Sequence, residues 1–342
     1  MNCSWTPWNP AARIHVDRVY GVPVLLSGLG PLVFSKPELS LVSQHHRELI
    51  SNLKRLLPAT PRSVIYFLAG SLPGEALLHL RQLSIFGMIC RLKNSVSHEV
   101  ATTLLSSEVV PSKSWIYQIQ EHCLQYDLPD PVHQLQDPLQ KDAFKRLVKK
   151  NVIDYWEQLL RAEAADPRYS SLTFFKPEFM SLSSPHPVWT TCGSSPSAIA
   201  MATVQARMIS GRYRSESLCR HWSKNRDGIC LLSPSCVNTP EDIPHILTAC
   251  SGLSSTRDKL VLYTLNYSTK VPAISSLILS LCSPTNPSFV QFLLDCFCLP
   301  EVIEATQLLG QDVLWHLFAI TRTWVYTLHK ARLRLLGRWN FI

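Results

Sequence analysis

"DPLQKDAFKRLVKKNVIDYWEQLLRAEA" spans residues 137–164 and carries two patterns at once. Phe144, Leu147, Val148, Val152, Tyr155, Trp156 and Leu159 recur at near-helical spacing, which places apolar side chains on one face of an α-helix. Asp137 reads as an N-cap with Pro138 in the first helical position. Over the same stretch Lys141, Lys145 and Lys149 repeat every four residues, with Arg146 and Lys150 beside them. That basic stripe is either a solvated helix face or a surface turned toward phosphates.

The same periodicity extends in both directions. Residues 37–57, "PELSLVSQHHRELISNLKRLL", read as a helix with Pro37 in its first turn, an apolar face from Leu39 to Leu57, and His45 and His46 at its surface. Two more apolar helical pieces follow between Val64 and Leu92, around Gly70 to Gly74. The "DLPDP" and "LQDP" turns mark linkers, and residues 170–197 read as a loop-rich linker. Another helix covers about 197–212, and apolar helical texture returns from about 271 to the end. The expected fold class is mainly α, with a few short strands near the start.

Composition bounds the function classes. The 342 residues suffice for two or three domains or one extended helical array, and 46% apolar residues allow a substantial core. The formal charge of +8 and pI near 8.9 fit an anionic partner without naming one. Eleven cysteines, an odd number, with no signal-peptide texture in "MNCSWTPWNP", point to reduced thiols in the nucleus or cytoplasm. No apolar run reaches the roughly 18 residues that span a bilayer.

"CLLSPSCVNTPEDIPHILTAC" (230–250) holds Cys230, Cys236, His245 and Cys250 in a C-x5-C-x8-H-x4-C spacing. Zinc favours four such ligands in a tetrahedron, as two short-range pairs joined by a loop. A closed four-ligand set would be structural, because no position stays open for a reactive water. Cys219 and His221 stand close enough upstream to serve as alternative ligands. Thr239 reads as the N-cap of a helix that turns His245 and Cys250 inward, with Glu241 and Asp242 at the positive end of its dipole. The competing reading is four ordinary core residues that happen to be neighbours.

Other chemical signatures are absent from the sequence. It has no Walker loop, no HExxH and no G-x-S-x-G, and Gly28 and Gly30 begin a dinucleotide fingerprint that no third glycine completes. Template-directed polymerases hold two divalent metals with clustered carboxylates. The only adjacent acids here are Glu241 and Asp242, which helix capping accounts for.

"RIHVDRVYGVPVLLSGLG" (13–30) resembles the segment after the palm of non-LTR (LINE-type) retrotransposon reverse transcriptases, with Ser27 in place of a typical tyrosine and Gly30 in place of an acid. Residues 49–92, with their "LPATP" and "GSLPGEALLHLRQLSIF" runs, resemble the helical thumb of that family. "GRYRSESLCRHWS" (211–223) followed by the Cys/His stretch is similar to its C-terminal CCHC zinc knuckle. The resemblance covers about 11–265. It implies a post-palm segment and thumb over 1–100, a helical connector over 101–210, a zinc-knuckle region over 211–265 and C-terminal helices over 266–342. The family's palm aspartates would lie upstream, so no catalytic residue is assigned and no polymerase activity is expected from this chain alone.

The resemblance further implies RNA or DNA as partner. Candidate phosphate contacts are Lys54, Arg55 and Arg62 on the thumb, the stripe Lys141, Lys145 and Lys149, and Arg212, Arg214, Arg220, Lys224 and Arg226 beside the knuckle. Trp222 and Tyr213 are either base-stacking platforms or core aromatics. The alternative to a nucleic-acid role is a scaffold in which the same zinc site staples a helical protein-interaction module.

Overall fold

The computed structural model describes residues 9–107, 113–223, 225–283 and 286–337, apart from the side chains of residues 169–171. Among them the regular structure is helical, and the short strands expected near the start are absent; a single β-bridge joins Ile229 to Pro240. The valine-rich opening instead winds from helix α1 (Pro10–Val16) through a π turn (Asp17–Gly21) into Val22–Leu25. Asn9 caps it, accepting from the Ala11 amide at 2.8 Å. A Cβ at Gly21 would lie 2.5 Å from Asp17 Oδ1, so a larger residue there would displace the buried Asp17 carboxylate. Ile14 and Asp17 pack into the interior, and this tertiary burial outweighs the strand preference of the valines.

Helix α2 (Lys36–Leu53) starts as expected, with Pro37 in its first turn and a Ser35/Glu38 capping box in which the Ser35 amide donates to Glu38 at 2.7 Å. Its surface histidines divide. His45 is exposed, but His46 is fully buried, stacked on Tyr66 at 5.9 Å. Helix α3 (Arg62–Ala69) packs on α2, and α5 (Val96–Ser106), α6 (Trp115–Gln125) and α7 (Pro131–Gln136) join α2 in packing around α4 (Gly74–Arg91).

The lysine-striped segment forms α8 (Lys141–Ala164), which buries Phe144, Val148, Val152, Trp156 and Leu160. Its start is three residues later than expected: Gln140 is the capping residue, without a side-chain bond. The Asp-Pro pair that does cap a helix is Asp130–Pro131, where Asp130 accepts from the Val132 amide at 2.6 Å and starts α7. Helices α4 and α8 cross closely at Gly87, where a Cβ would lie 2.5 Å from the Phe144 ring.

The segment read as a linker is the seam of the molecule. Its short helical turn Pro187–Thr190 places Val188 and Trp189 fully inside the core. On one side the His186 amide donates to Leu68 O at 3.2 Å. On the other, buried Arg322 donates to Thr191 O at 2.7 Å and to Thr191 Oγ1 at 3.1 Å. Beyond it stand α9 (Pro196–Ile209), α10 (Ser254–Ser268), α11 (Ser275–Leu281), α12 (Phe289–Asp295), α13 (Pro300–Leu309) and α14 (Asp312–Leu335). Helix α14 is the axis of this half and packs against α9, α10, α12 and α13. One apolar core runs through both halves. Among the described residues no single helix is long and apolar enough to cross a membrane.

Candidate metal centre and adjoining basic groove

Residues 228–253 form a compact knuckle between α9 and α10. Gly228, at φ +82°, turns the chain, and the Cys230 amide donates to Thr239 O at 2.9 Å while the Glu241 amide donates to Gly228 O at 2.9 Å. A 3-10 turn, Pro234–Cys236, brings the second thiol round, and Asn238 reverses the chain at φ +58°. The helical turn that follows is capped by Asp242, whose Oδ1 accepts from the His245 amide at 2.8 Å. Thr239 instead belongs to the bridge pairing. The turn widens to a π turn at His245–Ala249, so Cys250 emerges one residue later than an α-helix would place it, and its amide donates to His245 O at 2.8 Å.

The result brings together the four residues singled out by spacing. One ligand atom each from Cys230, Cys236, His245 and Cys250 lies within 4.8 Å of all the others, and all four residues are buried. Cys230 Sγ and Cys250 Sγ are 3.7 Å apart. Zn–S bonds of ~2.3 Å at a tetrahedral angle place two sulfurs ~3.8 Å apart, so the separation fits a shared zinc. His245 Nε2 is buried without a hydrogen-bond partner. Burial pushes the Cys230 thiol up to about 12 and raises Cys250, whereas the hydrogen bond from the Ser251 hydroxyl, at 3.2 Å, lowers Cys236. A divalent cation among them would favour the thiolates. The donor set therefore suits a metal ion. The alternative ligands Cys219 and His221 stand outside the group, and His221 is exposed.

The knuckle is fixed to the rest of the protein by a bond that sequence reasoning missed. Glu241 is fully buried and pairs with Arg332 of α14, while its Oε1 also accepts from the Glu216 amide at 2.9 Å. Capping therefore does not explain Glu241; only Asp242 caps. Nothing local could reveal a pair 91 positions apart in the chain. Arg332 also lies 5.5 Å over the Tyr213 ring, and Tyr213 OH bonds His329 Nδ1 at 2.8 Å. Tyr213 is a core residue, not a stacking platform.

Beside the knuckle lies a groove of about 570 Å³ lined by Arg207, Arg212, Arg214, Arg226, Arg332 and Trp222, with no carboxylate residue among its lining. Arg226 is held by Glu216 at 2.9 Å, and Arg207 donates to Arg55 O at 2.9 Å. Trp222 is 52% exposed at the groove edge, so core packing does not account for it. Arg214 and Arg220 are exposed, Arg212 is half-buried, and Lys224 lies outside the described residues.

The remaining candidates scatter. Arg55 exposes its side chain at φ +54°. Arg62 is committed to Glu163 at 2.7 Å and lies 5.9 Å from the Trp156 ring. Lys141, Lys145 and Lys149 are exposed, but they line a different cleft. Lys54 is a correction: it is fully buried, its Nζ 4.8 Å over the Trp189 ring and without a hydrogen-bond partner, and cannot reach a phosphate. Burial, reinforced by the charge of Arg18, holds its amine well below its ordinary value. Lys54→Met keeps the stem packed and removes the unpaired amine. It should stabilise the protein by about 1–3 kcal/mol in denaturant titration; a destabilised variant would contradict this reading.

No family model, curated protein or solved structure matches the chain.

Proposed function

We propose that the chain is a nucleic-acid-binding segment related to the C-terminal part of LINE-type reverse transcriptases, with a structural zinc in its Cys3His knuckle and no polymerase chemistry of its own. The observation that carries the proposal is the groove on the flank of the knuckle, where Arg212, Arg214 and half-exposed Trp222 converge without a carboxylate. Arginines there neutralise phosphates and Trp222 stacks on a base, the combination that holds single strands with little sequence preference. Zinc in a closed Cys3His set does no chemistry; it holds the knuckle on whose flank these side chains stand.

The test is a salt series of fluorescence anisotropy with a single-stranded oligonucleotide. Each phosphate contact contributes about −0.7 to the slope of log affinity against log salt, so Arg212→Ala with Arg214→Ala should flatten it by about 1.4. Trp222→Ala should weaken binding by about 1–3 kcal/mol with the slope unchanged. Absence of binding would leave the second reading, a zinc-stapled interaction module, which the buried Glu241–Arg332 pair between knuckle and α14 also supports.

A further inference from the structure

The lysine stripe of α8 faces a cleft of about 430 Å³ between α8, α4 and the N-terminal segment. Leu26, Leu77, Leu80, Phe144 and Val148 line it, and Arg81, Arg91, Lys141, Lys145 and Lys149 surround these apolar groups. No carboxylate residue is among its lining. The apolar character continues outside the cleft, because Val19, Tyr20, Val24 and Leu25 on the adjoining segment are exposed.

We propose that this cleft docks an acidic amphipathic helix of a partner protein. Two features select that occupant. Five cations without a carboxylate call for an anion, and an apolar lining calls for an occupant with an apolar face. A sugar-phosphate backbone has charge but no such face, and would strand its phosphates over leucines. A helix offers both, with an apolar stripe turned down and carboxylates along its flank. The register agrees: at 1.5 Å rise per residue, lysines at i, i+4 and i+8 stand about 6 Å apart, as do glutamates at the same spacing on a helix laid alongside. The inference is independent of the arginine groove, which lies beside the knuckle.

The probe is a labelled leucine–glutamate peptide of about five helical turns, with leucines at i, i+3, i+4 and i+7 and glutamates along both flanks, titrated with the full chain at about 0.1 M salt. Saturable binding is expected, weakened about tenfold or more by Lys145→Glu with Lys149→Glu, two exposed positions whose reversal leaves the core intact. Arg214→Ala should leave it unchanged. The proposal is overturned if the charge reversals leave peptide affinity unaltered. It is equally overturned if a single-stranded oligonucleotide or anionic phospholipid vesicles bind with the same sensitivity to those reversals while the peptide does not. Loss of oligonucleotide binding in the Arg212/Arg214 variant with peptide binding retained separates the two sites.

Discussion

Cys236→Ser combined with Cys250→Ser should yield a protein without zinc in which residues 219–260 become protease-sensitive while helices α2–α8 stay folded. The size of the effect follows from how little else holds the knuckle. Its longest regular element is a single π turn, and its aliphatic support is Leu232, Ile246, Leu247 and Leu253, with Ile243 partly buried beside them. Structural zinc contributes about 10–16 kcal/mol to such elements, far more than these few side chains supply. The N-terminal half has its own buried residues on α3, α4 and α8, remote in sequence from the four clustered residues. Limited proteolysis with mass mapping reads the outcome, and elemental analysis should find about one zinc per wild-type chain. Unchanged protease resistance across 219–260 would mean that the four residues are core thiols and a core imidazole rather than ligands. Release of the knuckle also leaves Arg332 without Glu241, so some loss of stability should spread to α14; breaking a buried pair typically costs about 3–5 kcal/mol.

Acidification to pH 5 should weaken the fold through its buried histidines, of which His46, His79 and His122 in the N-terminal half together contribute about 6 kcal/mol. Burial pushes His46 down to about 4 and His122 down to about 4. It pushes His79 down to about 2, helped by the neighbouring His122. Two of them sit in hydrogen bonds compatible with neutral rings, and His46 has none. Trp156 Nε1 donates to Tyr126 OH at 3.1 Å, which turns the phenol proton toward His79 Nδ1 at 2.7 Å. His122 Nε2 meets Gln82 Oε1 at 2.9 Å, and the two imidazoles lie 3.8 Å apart between centroids, too close for both to carry charge. The sign follows from the direction of the shifts. In the folded chain the groups stay neutral well below 6.5, whereas in the unfolded chain they take up protons below 6.5. Stability is therefore fully present above about pH 7 and is lost as pH falls toward the folded values, by about 2 kcal/mol per histidine at pH 5. Against a total of 5–15 kcal/mol, that is a large fraction. Denaturant midpoints at pH 7.5 and 5.0 measure it, and equal midpoints would refute it.

The outcome at His46 shows where a one-dimensional reading fails. Its neighbour His45 has the same side chain on the same helix and is exposed, as expected for both. The two positions differ by 100° around the helix, and only His46 meets Tyr66 of α3. Lys54 fails for a related reason. It follows the last residue of α2, where a lysine ordinarily reaches solvent, but Trp189 from the distant linker closes over it. Trp222 and Tyr213, equivalent in the sequence, part in the same way: Tyr213 is buried and Trp222 stays half outside.

What the amino-acid sequence determined by itself was the helical class and the four clustered residues. Both rest on short-range regularities. The 3.6-residue spacing of apolar side chains is a property of neighbours, and all four clustered residues lie within a 21-residue span, as their numbers show. Tertiary structure alone decided which charges are available and what the clustered residues lean on. Glu241 and Arg332, Lys54 and Trp189, and the lysines of α8 with the leucines of α4 are far apart in the chain, and burial depends on what packs across from a residue, which no local pattern encodes.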